Sequence, residues 1–238
     1  METLSINKSK ALKKVQYYPT VDKKDSIFIH HTAGTSAQGA LSWWDQTPDV
    51  VGTAYVIERD GTIYEAFDPS FYAYHLGIKD DDNYMEKHSI GIEIVSAGQL
   101  YKEADGKYYF YPLYPSKNGA KVIPESEVWA VDWRGYKHYH AYTDKQIEST
   151  INLIKHLCQK FGIKIQSNLE KFWEYNPEIY KKHITGLWSH SSVRSDKNDI
   201  IPHLPFIQKL ISSLGQPQSK PLSNVGGVSQ NSVLPKKK

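Results

Sequence analysis

Residues 143–162, TDKQIESTINLIKHLCQKFG, place Ile147, Ile151, Ile154, Leu157, Cys158 and Phe161 on one stripe of a 3.6-residue period. A helix with a single apolar stripe must bury it against another layer of structure. Thr143 and Gln146 stand at capping-box spacing and Gly162 follows the last apolar position, so both ends of the helix are written into the chain. Cys158 lies inside the stripe and reads as a core side chain, not a nucleophile.

The partner layer is visible as β-rich runs. SIFIHH (26–31) is a short apolar run ending in two histidines, and Ser36 beyond it is the expected cap of a short helix. TAYVIERDGTIYEAF joins two runs across Asp60-Gly61, a strong hairpin signal. HSIGIEIV alternates strictly, with Ile90, Ile92 and Ile94 on one face and Ser89, Gly91 and Glu93 on the other. Strands interleaved with helices imply an α/β domain.

The 238 residues suit one well-cored domain, and an aromatic content of 13% excludes disorder for most of the chain. The single cysteine rules out an internal disulfide framework and a thiolate-rich metal site, so any metal is held by His, Asp or Glu. A net charge of +3 is compatible with an anionic polymer as partner without requiring one. The opening METLSINKSKALKKVQYYP has no continuous apolar stretch, and no segment is long and apolar enough to span a bilayer. The expectation is a monomer made in the cytoplasm without a signal peptide, with no nucleic-acid or membrane partner. Residues 1–24 read as an N-terminal extension, 25–214 as the domain and 215–238 as a disordered tail rich in Gly, Pro, Ser and Gln.

His30 and His31 point to opposite faces of their strand, so at most one enters a given site. Downstream, LWSHSSVRSDKNDIIPHLPF sets His190 nine positions before Asp199, with Lys197 between them; Pro202 and Pro205 mark the stretch as a loop. Two imidazoles and a carboxylate with a fourth position open would form a catalytic metal site. Spacing alone leaves the alternative of ordinary core and loop residues standing.

FIHHTAG, VGTAYVIERDGTIYE, AYHLG, SIGIEIV and HSSVRSDKND occur in the order seen in zinc-dependent N-acetylmuramoyl-L-alanine amidases of the amidase type 2 family, which share a fold with the peptidoglycan recognition proteins. The resemblance spans roughly residues 25–214, and its C-terminal portion looks most like phage-type endolysin amidases. It implies a mixed central β-sheet flanked by α-helices in a single amidase type 2 domain, with one zinc ion per chain and bacterial peptidoglycan as partner. Carried over residue by residue, His30, His190 and Asp199 are the metal ligands, Glu93 the catalytic carboxylate and Lys197 the oxyanion stabiliser. His75 falls in the groove-lining stretch. Thr53 stands where other members have a tyrosine, and Tyr55, two residues on, is the nearest phenol on the same face; these three are the expected substrate contacts. His31 is expected to pack or hydrogen-bond on the opposite face.

The bond cut would be the amide between N-acetylmuramic acid and L-alanine, reached after release by a lysis apparatus. Two other readings fit the same motifs: a non-catalytic peptidoglycan-binding protein, and a cytoplasmic amidase of muropeptide recycling. The stretch 99–142 is an aromatic-rich insertion whose side chains either line the groove or pack on one another as an exposed hairpin.

Overall fold

A computed structural model describes residues 4–110 and 121–214; the expected tail and the middle of the insertion lie outside the described residues. The first half of the chain comprises β1 (Ile6–Asn7), β2 (Ser26–His31), α1 (Ala37–Gln46), β3 (Tyr55–Ile57), β4 (Ile63–Glu65), α2 (Tyr84–His88) and β5 (Ser89–Ile94). Three short strands follow, β6 (Leu100–Lys102), β7 (Tyr108–Phe110) and β8 (Val122–Ile123), then the hairpin of β9 (Val128–Trp133) and β10 (Tyr136–His140). The chain continues through α3 (Asp144–Phe161), α4 (Glu178–Lys181), β11 (Gly186–Ser189), α5 (His190–Val193) and α6 (Leu204–Ser213).

The main sheet has the order β1-β4-β3-β5-β2-β11; only the β3–β4 hairpin is antiparallel, so the sheet is mixed and flanked by helices, as expected. The hairpin turns over Asp60-Gly61, where a side chain on Gly61 (φ 87°) would meet Ser149 and the Lys145 carbonyl of α3. The local signals for α3 hold: Thr143 and Gln146 form the reciprocal cap, and Gly162 takes the left-handed conformation. Its Ile147, Ile151, Ile154 and Leu157 are buried, each contributing about 1.5–3 kcal/mol over an exposed side chain. Cys158 packs against the same core.

Cross-strand neighbours share a face, and the register separates the two sides of the sheet. Ile27, Ile29, Ile90, Ile92, Tyr55 and Leu187 face the large core beneath α3 and α6. Phe28, His30, Gly91, Glu93 and Trp188 take the other side, where Phe28 packs with Leu76, Met85, Ile179 and Val193.

The structure adds to three of these readings. The N-terminal residues are part of the domain: β1 adds a parallel edge strand to β4, and Leu12 enters the core and donates its N–H to the Ala66 carbonyl. The stretch around Pro202 and Pro205 is not all loop, since Pro205 sits in the first turn of α6, where its missing N–H has no helical partner to lose. The insertion builds two small sheets, β6-β7-β8 and β9-β10, with aromatic packing of Tyr101, Tyr136 and Tyr139.

Candidate metal centre

Strands β2 and β11 run parallel with Ser189 opposite Ile29, so His30 and His190 emerge together at their carboxyl ends. This end of a parallel sheet is where open α/β folds place their sites. Asp199 arrives from the loop after α5, which is closed by the Ser191 N–H donating to the Asp199 carbonyl at 2.7 Å. Its Oδ2 lies 3.0 Å from His190 Nδ1 and 3.2 Å from His30 Nδ1, and the three prospective ligand atoms fall within 4.8 Å of one another. The three residues are 2%, 8% and 7% exposed for His30, His190 and Asp199.

The remaining ring nitrogens fix the tautomers. His190 Nε2 faces the Leu76 carbonyl at 2.9 Å, and a carbonyl only accepts, so Nε2 carries the hydrogen. For His30 the assignment runs through a chain of bonds. Ser89 donates its hydroxyl hydrogen to the Met85 carbonyl, so its oxygen accepts from His75 Nε2 at 2.9 Å; His75 Nδ1 is then an acceptor for the His30 Nε2–H at 3.0 Å. Both Nδ1 atoms are left as lone pairs aimed at a carboxylate. Burial favours this neutral state, pushing His30 down to about 4 despite the adjacent Asp199 carboxylate, and pushing His75 well below the usual imidazole range. Burial opposes ionisation of Asp199, but the two imidazoles of His190 and His30 beside it outweigh that and hold the carboxyl well below its ordinary range. Three lone-pair donors converging on one point repel unless a cation lies among them, and the set fits a divalent metal ion.

A cleft of about 790 Å³ opens above these donors. Glu93, beside His30 in register, lines it with Oε2 buried and without a hydrogen-bond partner among the described residues; burial and the Asp199 charge push its carboxyl well above the usual range. Lys197 lines the same cleft and forms no salt bridge among the described residues. Thr53 and His75 also line it, although the Thr53 hydroxyl is committed to the Tyr55 carbonyl and both His75 nitrogens are engaged inside the protein.

Tyr55 is not brought to the cleft. It pairs with Ile92 and therefore shares the core face, where it is 1% exposed and donates its hydroxyl to Glu65. His31 projects from the opposite face of the strand and pairs with the Tyr142 hydroxyl at 3.3 Å, but at the strand's end it also lines the cleft, so both histidines reach it rather than one as expected. Three residues escaped the sequence reading. Gly91 leaves room for its neighbours, because a Cβ there would sit 2.6 Å from Thr53 Cγ2 and 3.1 Å from His75 Nδ1. Glu86 gathers the backbone N–H groups of His75, Leu76 and Gly77 at 2.8–3.1 Å. Arg134, in the insertion, lines the cleft with Gln99 and Tyr136. Only Arg134 had a local signal: it occupies a hairpin turn position that favours Asn, Asp or Gly.

The family model of the N-acetylmuramoyl-L-alanine amidases matches residues 21–203. The Escherichia coli amidase AmiD, solved with anhydro-N-acetylmuramic acid-L-Ala-D-gamma-Glu-L-Lys, superposes with a TM-score of 0.51 at 19% identity over 82% of this chain and 59% of its own. The catalytic domain of XlyA gives a TM-score of 0.50 at 15% identity, over 89% of this chain and 99% of its own. At these identities the likeness is one of fold. A sequence search of curated proteins finds no match.

Proposed function

The chain belongs to the N-acetylmuramoyl-L-alanine amidase family, and from that premise we propose a zinc enzyme of the phage lytic type, with one ion held by His30, His190 and Asp199. It hydrolyses the amide between the lactyl carbonyl of N-acetylmuramic acid and L-alanine in bacterial peptidoglycan. In this reading it is a monomer released from the cytoplasm by a lysis apparatus. The observation that carries the zinc assignment is the pair of Nδ1 lone pairs aimed at the Asp199 carboxylate.

Bound zinc would supply a Lewis acid that polarises the scissile carbonyl and brings the pKa of water toward ~7. Glu93 takes the proton of the attacking water and returns it to the nitrogen of L-alanine as the C–N bond breaks. Its place in the cleft, with Oε2 free of any other hydrogen-bond partner among the described residues, suits a carboxylate that accepts that proton. The Lys197 ammonium neutralises the charge that develops on the carbonyl oxygen. Thr53 and His75 form the cleft wall, His75 orienting His30 as it does so. The products are a lactyl carboxylate and a stem peptide with a free amino terminus.

Zinc content and digestion of purified sacculi, measured on the same preparations, test the assignment. The native chain should hold one equivalent of zinc and release peptides beginning with L-alanine, seen by mass spectrometry. His30→Ala should lose metal and activity while His31→Ala keeps most of its zinc. Equal loss of zinc in both variants refutes the ligand set.

A further inference from the structure

The insertion reaches the metal loop at two points. Asn198 donates its side-chain amide to Gln99 at 2.9 Å. The larger contact is Arg134, at the tip of the β9–β10 hairpin. Its Nη2 donates to the Ser191 carbonyl at 2.9 Å, and its Nη1 is shared among the carbonyls of Arg194 (2.9 Å), Ser195 (2.5 Å) and Lys197. The segment 194–199 has no strand or helix to satisfy its backbone, and its Arg194, Ser195 and Lys197 carbonyls converge on one guanidinium together with that of Ser191 in α5.

Two further observations show that this side chain is set in place. Arg134 and Gly135 form a two-residue turn with φ of 46° and 85°, and a left-handed conformation costs an arginine about 1–2 kcal/mol that Asn or Gly largely avoids. The guanidinium also lies 5.0 Å above the Trp133 ring, which orients it toward the loop. Strain of this kind persists where the surroundings hold it.

We propose that Arg134 is a positioning residue: the hairpin tip acts as a clasp that holds the end of α5 and the loop after it, and with it Asp199 and Lys197, in register with His30 and His190. The inference rests on the metal assignment above only for its zinc readout. Loss of the clasp should loosen the loop whether or not metal is present.

Arg134→Asn separates the clasp from the fold, because asparagine suits the left-handed turn and has no guanidinium. Zinc affinity by chelator competition should fall roughly 10–100-fold, amide hydrogen exchange over 194–199 should accelerate in the metal-free protein, and the melting temperature should stay within about 3 °C. Arg134→Lys, with three donors on a flexible stem, should recover part of the zinc affinity. Unchanged exchange over 194–199 in Arg134→Asn overturns the clasp. So does zinc affinity within twofold of native in a chain that binds zinc, or a general loss of melting temperature with loop exchange unaltered. A native chain that binds no zinc defeats the metal assignment instead, leaving the exchange measurement to decide the clasp.

Discussion

Two segments wall the candidate metal centre, and they are held from opposite ends of the peptide dipole. The strap 75–77 offers its N–H groups to the Glu86 carboxylate, which is 1% exposed. The loop 191–199 offers its carbonyls to the partly exposed guanidinium of Arg134. The strap carries what orients the histidines, the His75 ring for His30 and the Leu76 carbonyl for His190. The loop carries Asp199, the proposed third ligand, and the Lys197 ammonium. The orienting groups are thus anchored to a carboxylate in the buried body of the domain, where release would cost stability. The segment bearing Asp199 and Lys197 is fastened from the surface by an added hairpin.

This contrast makes the strap a determinant of stability and the loop a determinant of chemistry. The largest expected effect tests the loop. Lys197→Ala should lose roughly 10²–10³ in kcat, or ~3–4 kcal/mol of transition-state stabilisation, with a full equivalent of zinc and an unchanged melting temperature. Turnover within about twofold of native would make Lys197 a surface lysine and remove the chemical half of the contrast.

The strap should respond in the opposite manner. Burial raises the cost of the Glu86 charge while three backbone N–H groups offset it, and Glu86→Ala leaves the buried Leu76 N–H and the half-buried His75 N–H without their partner. At about 1–3 kcal/mol for each such group, a loss of ~3 kcal/mol or more is expected, lowering the melting temperature by roughly 6–12 °C. Calorimetry showing a drop of less than about 3 °C would mean that the strap is held by something other than Glu86.

The smallest effect sharpens the comparison inside the strap's own packing. Gly91→Ala drives a methyl against Thr53 and His75, at an expected cost of about 1–3 kcal/mol together with weaker zinc binding, because His75 must turn away from His30. If chelator competition shows native affinity despite the lost stability, His75 does not orient its ligand.

Features governed by neighbours a few residues apart were legible in the chain. The reciprocal cap of α3, its apolar stripe, the Asp60-Gly61 turn and the alternation of β5 depend on spacings of two to four residues, and each appears as read. The resemblance of five co-linear motifs supplied the candidates His30, His190 and Asp199, which the fold brings within 4.8 Å. Sequence alternation also placed His30 and His31 on opposite faces, and the hydrogen bonds agree.

What the chain alone could not settle depends on partners distant in sequence. Tyr55 looked as able to reach the cleft as Thr53, but its register with Ile92 turned it into the core. Glu86 resembles any helix glutamate until the strap folds over it. The tautomers of His30 and His190 follow from Ser89 and Leu76, which belong to other elements. Local sequence fixes which face a side chain occupies on its own strand or helix, because that periodicity is a property of the backbone. Only packing decides what that face meets, because a contact such as Arg134 to Lys197 spans 63 residues and exists only once both segments are in place.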